Sequence, residues 1–93
     1  MEEVKRIIAE ACKRAGLKKQ QVEAITARAE KDYHHERIYQ LYLGVKGVPY
    51  GDAMATVEQL EKNGDVFVLS DYAPMYLKIA LVRDWAQNPF VVR

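Results

Sequence analysis

Two adjacent histidines, His34 and His35, are the side chains of this sequence most suited to metal chemistry, because acidic residues lie close on both sides. Metal ligands on a helix must stand three or four residues apart to share one face. Adjacent histidines on a regular helix point about 100° apart and cannot bind one ion. Glu30 with His34 and Asp32 with His35 have suitable spacing, but two ligands do not complete a site. We therefore predict no metal site at these histidines.

The nucleophilic side chains give no stronger signal. Cys12, the single cysteine, lies between Ile8 and Ala15 on the apolar face of a predicted helix, whereas a reactive thiol needs exposure and a lowered pKa. Ser70 does not stand in a G-x-S-x-G elbow. We predict no catalytic residue, no cofactor and no enzymatic activity.

The composition is that of one globular domain spanning residues 1–93. Hydrophobic residues make up 49% and charged residues 29%, and the formal net charge is +1, which attracts neither nucleic acid nor an anionic membrane. One cysteine is typical of a reducing compartment, and the charged start Met1–Arg6 differs from a signal peptide. We expect a cytoplasmic protein without membrane contact.

The first half of the chain shows helical spacing of its apolar residues. A helix is predicted over Glu2–Ala15, with Gly16 as its left-handed cap. A second helix is predicted over 18–31, and Ile38, Leu41, Tyr42 and Val45 repeat the spacing in a different phase. Two alternatives remain open: a break at 32–35 with Asp32 as the next N-cap, or one long helix.

The second half is more apolar. After a loop over 44–51, Asp52 is predicted to cap a helix that ends at Lys62 and turns Ala53, Val57 and Leu60 inward. A strand is predicted over 65–70, and then a helix over 74–86 that is apolar on most faces and buries Leu77, Ala80, Leu81 and Trp85. We expect a mainly α domain of four or five helices, with at most a two-stranded ribbon from 66–69 and 90–92.

Aromatic residues suggest a protein interface, since tyrosine, tryptophan and arginine dominate binding hot spots. The apolar residues of 66–92 exceed what narrow helix stripes can cover, and exposed strand edges invite a second chain. We therefore expect a homo-oligomer, most simply a homodimer. Tyr42 and Tyr76 are equally suited to core packing. The candidate interface residues are Tyr39, Tyr50, Phe67, Tyr72, Tyr76 and Phe90.

One segment carries a resemblance to a known family. Thr56-Val57, Leu60-Glu61 and Gly64, followed by Asp65–Val68, resemble the recognition helix and wing of winged helix-turn-helix regulators. The resemblance covers about a fifth of the chain and implies DNA binding through this helix. Against it, the exposed positions include Glu58 and Glu61, which repel phosphates.

The function that these patterns favour is that of a small protein–protein interaction module. Such a module binds another protein as an adaptor, inhibitor or assembly subunit, as small accessory proteins of phages and mobile elements do. The alternative is a winged-helix-like DNA-binding transcriptional regulator. Under the leading interpretation the partner is a protein, and neither nucleic acid nor a membrane is expected.

Overall fold

The protein consists of helices and a four-stranded antiparallel sheet. The computed structural model describes residues 1–35, 37–72 and 76–86. For residues 70–72, 85 and 86 the description covers the backbone alone. The sheet order is β1-β2-β4-β3. The expected mainly α fold with a two-stranded ribbon is therefore wrong, and the fold is α/β. The elements are α1 (Glu2–Arg14), α2 (Lys19–Ala27), β1 (Glu30–Lys31), β2 (Ile38–Tyr42), α3 (Tyr50–Lys62), β3 (Val66–Tyr72), β4 (Tyr76–Leu81) and α4 (Val82–Ala86).

The first helix confirms its prediction. Its buried side chains recur at helical spacing and pack against α2 and α3. Gly16 follows with a φ of 87°, a conformation that glycine adopts without steric cost. The Gly16 N–H donates to the Lys13 carbonyl and the Leu17 N–H donates to the Cys12 carbonyl, which is the Schellman pattern. The buried residues of α1 are Val4, Ile7, Ile8, Ala11 and Cys12.

The predicted helical continuation beyond α2 is wrong. Helix α2 ends at Ala27, a short strand β1 follows, and Asp32 caps no helix. The third predicted helical segment is strand β2, in which Tyr39 and Leu41 are buried, and Leu43, one residue beyond the strand, is buried as well. These three residues are spaced by two, so one face of an extended chain turns them all into the core. The segment satisfies both periods, and pairing with its neighbours selects the strand.

The predicted buried helix over 74–86 is also wrong, because its central part is strand β4. Leu77, Ile79 and Leu81 alternate toward the core, while Tyr76 and Lys78 lie on the other face. Strand β4 pairs with β2 on one side and β3 on the other, which explains its apolar character. The predicted burial of Leu77, Ala80 and Leu81 is confirmed. The Trp85 side chain and the predicted strand at 90–92 lie outside the described residues.

Helix α3 starts at Tyr50, two residues before the predicted cap. Pro49 is its N-cap residue, and Asp52 instead accepts a hydrogen bond from the Gln21 amide of α2 at 3.1 Å. The same amide donates to the Gly47 carbonyl at 3.1 Å, so one side chain joins α2, the loop and α3. The predicted inner face is confirmed, since Ala53, Val57 and Leu60 are buried. The predicted strand at 65–70 is confirmed as β3.

Candidate interaction surface

The two edge strands of the sheet differ in length and chemistry. Strand β1 has two residues, Glu30 and Lys31, both charged and exposed. Strand β3 has seven residues, and its segment Val66–Ser70 carries no charge. In the described parts of the chain, β3 pairs with β4 alone. Asp71 is the one charged residue of β3. Short and charged strands protect a sheet edge from pairing with other chains, whereas a longer strand with an uncharged segment is less protected.

The backbone of β3 presents hydrogen-bonding groups at this edge. The Val82 N–H donates to the Asp65 carbonyl at 2.9 Å, which fixes the alternation of the ladder. Phe67 lies two residues after Asp65 and opposite Ala80, so its backbone N–H and C=O also bond to β4. The next residue, Val68, alternates with it, and its N–H and C=O therefore point away from β4. Two apolar side chains flank these groups, since Phe67 is 42% and Leu69 37% exposed.

A β-bulge interrupts the same strand. Val68 is opposite Ile79 and Ser70 is opposite Lys78, so Leu69 is the extra residue on β3. An extra residue increases the local twist and breaks the inward–outward alternation of side chains. Leu69 itself follows the alternation of the preceding residues: Val66 is buried and Val68 packs against the core, so Phe67 and Leu69 lie on the exposed face. The bulge changes the register from Ser70 onward.

A polar cluster occupies the sheet face away from the core. Asp32 Oδ2 accepts from Lys78 Nζ at 2.9 Å and from Gln40 Nε2 at 3.1 Å. Asp32 Oδ1 accepts from the backbone N–H of His34 at 2.8 Å. These donors, the Lys78 ammonium first, hold the pKa of Asp32 well below its ordinary value. A carboxylate stabilised as an ion is a weak base, so this cluster fixes the strands and is unsuited to proton abstraction.

The two histidines lie in the turn between β1 and β2. The His34 ring meets the Tyr33 ring edge-on with centroids 5.0 Å apart, and His35 Nδ1 accepts from the Arg37 N–H at 3.2 Å. The helical spacing that related them to Glu30 and Asp32 is therefore not the geometry of this segment. Within residues 1–35, 37–69 and 76–84, no three His, Cys, Asp or Glu side chains are grouped as metal ligands are.

Cys12 is fully buried between α1 and α3. Burial raises the pKa of its thiol to about 11, and a hydrogen bond with Thr56 opposes that rise only in part. Thr56 is itself buried, with its hydroxyl donating to the Asp52 carbonyl at 2.9 Å. This thiol packs as a small apolar group.

The predicted interface residues are placed unequally. Tyr39 is 8% exposed and faces the core, whereas Tyr50 on α3 is 59% exposed. Tyr76 is half-buried and pairs in register with Tyr42 on one side and Tyr72 on the other. Phe67 lies on the β3 edge, and Phe90 is outside the described residues. The structure thus brings Phe67 to the edge surface and separates Tyr39 and Tyr50 from it.

Helix α3 does not have the setting of a recognition helix. In a helix-turn-helix the reading helix follows another helix after a three- or four-residue turn. Here strand β2 and the loop after it precede α3. Exposed Glu58 and Lys62 form an ion pair at 3.1 Å, and Glu61 is exposed beside them. The face is therefore acidic overall.

No protein-family model matches the chain, and no curated protein or solved structure matches it either. No helix among the described residues is long and apolar enough to cross a membrane.

Two exposed residues escaped sequence reasoning. Leu69 shares the exposed face of Phe67 through the two-residue alternation of β3, a signal that the predicted strand at 65–70 contained but that the selection of aromatic residues left out. Arg28 places its guanidinium 5.1 Å from the centroid of the Tyr42 ring, a cation–π contact. Arg28 lies just beyond α2 and Tyr42 ends β2, so this pair could be found only once β2 was recognised as a strand.

Proposed function

We propose that this protein is a protein–protein interaction module whose contact surface is the outer edge of β3. The observation that carries the proposal is the pair of exposed apolar side chains, Phe67 and Leu69, on an uncharged edge segment. Large apolar side chains exposed on a long edge strand mark a place where another chain adds a strand.

The recognition is of the strand-addition type. In this mode the main-chain hydrogen bonds supply affinity, and side chains beside the added strand supply selectivity. The outward N–H and C=O of Val68 supply the first requirement, and Phe67 and Leu69 supply the second. The opposite edge does not compete, because β1 is short and charged.

A protein partner suits this surface better than DNA. The edge segment Val66–Ser70 has no cation to meet a phosphate, and the acidic face of α3 repels one. Apolar side chains beside main-chain groups that pair with no second strand among the described residues match an extended peptide strand.

Site-specific photo-cross-linking tests the proposal. A benzophenone amino acid replaces Phe67 in one preparation and Tyr33 in the control, and both chains are irradiated in living cells. Tyr33 is 91% exposed in the β1–β2 turn, so the control exchanges an aromatic residue that is more exposed but lies away from the edge. We expect a discrete protein adduct from position 67 and none from position 33. Equal labelling at both positions, or no protein adduct at 67, would contradict the proposed function.

A further inference from the structure

We infer that the chain which pairs with the β3 edge is a second copy of this protein, with two β3 strands antiparallel across a two-fold axis near Val68. The two four-stranded sheets would then join into one sheet of eight strands. This inference rests on the proposed function, because it names the partner of the same edge.

The first argument is the backbone geometry at Val68. Its N–H and C=O both point away from β4. In an antiparallel pair, opposite residues of this kind exchange two hydrogen bonds. Two identical residues satisfy that exchange when a two-fold axis passes between them, and such an interface uses the same patch on both chains. The edge is therefore complementary to itself.

The second argument is charge. Charged side chains across an interface select one partner over another, and the segment Val66–Ser70 around the axis has none, since Asp71 beyond the bulge is the one charged residue of β3. It offers a charged foreign strand no counter-ion, whereas a second copy brings apolar residues to apolar residues. In this arrangement Phe67 of each chain lies opposite the partner's Leu69, which covers the most exposed apolar surface of β3.

The third argument is the charge of the whole molecule. The formal net charge of the chain is +1, so two copies do not repel each other at long range. The charged strand β1 lies at the far side of the sheet, so self-pairing leaves the protected edge at both ends of the joined sheet.

Charge exchange at Phe67 tests the inference by sedimentation equilibrium of the untagged protein. We expect the wild-type chain to dimerise at micromolar concentration, and Phe67→Lys and Phe67→Glu each to raise the dissociation constant about tenfold or more. Each change removes the apolar contact with the partner's Leu69 and places two like charges diagonally across the axis. An equimolar mixture of the two variants should restore the dimer in part, because the lysine then lies diagonally across the axis from the glutamate, within reach of a long side chain. Tyr50→Lys, an exposed aromatic change on α3, is the control and should dimerise like the wild type.

Several outcomes would overturn the inference. They are a wild-type monomer at high micromolar concentration, a dimer that both Phe67 variants leave intact, and a mixture that stays monomeric. Circular dichroism of each variant establishes that it is folded, and the mixture measures pairing independently of either variant's stability. A wild-type monomer whose position 67 cross-links to a different protein would overturn self-pairing alone. The absence of any adduct at position 67 would overturn the proposed function as well.

Discussion

The Nζ atom of Lys78 lies 2.9 Å from Oδ2 of Asp32, so the central strand β4 is tied to the turn that joins β1 to β2. The Asp32 side chain is 3% exposed and that of Lys78 is 32% exposed. Gln40 on the intervening strand β2 donates to the same oxygen. One buried carboxylate thus links three neighbouring parts of the sheet.

Replacing this carboxylate should destabilise the fold. We expect Asp32→Asn to lower the free energy of unfolding, because the half-buried Lys78 ammonium loses its counter-ion and the His34 N–H loses a charged acceptor. The control is Glu58→Gln, which breaks the ion pair with Lys62, where both side chains are about two-thirds exposed. Urea denaturation should show the larger loss for Asp32→Asn. Equal losses would contradict the structural role of Asp32.

The same aspartate should give the protein a defined acid sensitivity. Its pKa is lowered in the folded chain, so its stabilising contribution is complete above the ordinary aspartate pKa of about 4 and is lost as the pH falls below that value. The free energy of unfolding, measured by urea denaturation from pH 7 to pH 2, should therefore fall more steeply for the wild type than for Asp32→Asn. Parallel curves would show that the Asp32 pKa is not lowered.

The buried thiol should be unreactive and should make the protein sensitive to alkali. We expect alkylation of Cys12 by iodoacetamide at pH 8 to be far slower in the folded protein than in urea, because the side chain is fully buried. Its pKa rises to about 11, so stability should be lost as the pH climbs from about 9 toward 11, where the unfolded chain ionises first. Cys12→Ala should make this loss of stability smaller, because the thiol's contribution is then absent. Rapid labelling of the native protein would contradict the packing of α1 on α3.

Two leucines of neighbouring strands offer a matched test of the core. Leu81 on β4 is 4% exposed and Leu69 on β3 is 37% exposed. Leu81→Ala should cost about 2–5 kcal/mol of unfolding free energy, since it leaves a cavity in the core. Leu69→Ala should cost well under half of that in the monomer, as measured by thermal or urea unfolding at low protein concentration. Similar losses would place Leu69 in the core and remove it from the edge.

The sequence predicted the helices whose apolar stripes meet water on their other side. Helices α1 and α3 have one buried face and one charged face, so the 3.6-residue period is unambiguous there. Strand β3 was also predictable, because β-branched and aromatic residues are frequent in strands and follow one another in this segment.

The central strands could not be predicted in the same way. Strand β4 lies between β2 and β3, and its side chains are therefore mostly apolar. A short apolar run of this kind is typical of a buried strand and of a buried helix alike. In β2, Ile38, Leu41 and Tyr42 fit a helical period by coincidence, while the core residues are Tyr39 and Leu41, followed by Leu43 just after the strand. Hydrogen-bonded pairing between distant strands decides between the helical and the strand period. A local sequence pattern carries no information on that pairing.

The candidate interaction surface also depends on strand pairing that the sequence does not reveal. Phe67 could be proposed as an interface residue from its type, but its place at an edge depends on the sheet order β1-β2-β4-β3. Leu69 shares the exposed face of Phe67 through the alternation of the strand, whereas the ion pair of Asp32 with Lys78 joins residues 46 positions apart in the chain. The edge position of Phe67 and this ion pair both follow from the sheet topology.

Amide hydrogen exchange at Val68, followed by NMR over a range of protein concentrations, tests the central claim most directly. The Phe67 N–H is the internal reference, because it bonds toward β4 whether or not a second chain is present. The account predicts that Val68 exchanges quickly at low concentration and becomes protected as the concentration rises, while Phe67 stays protected throughout. Exchange at Val68 that does not change with concentration, whether fast or slow, would contradict the pairing of two chains through β3.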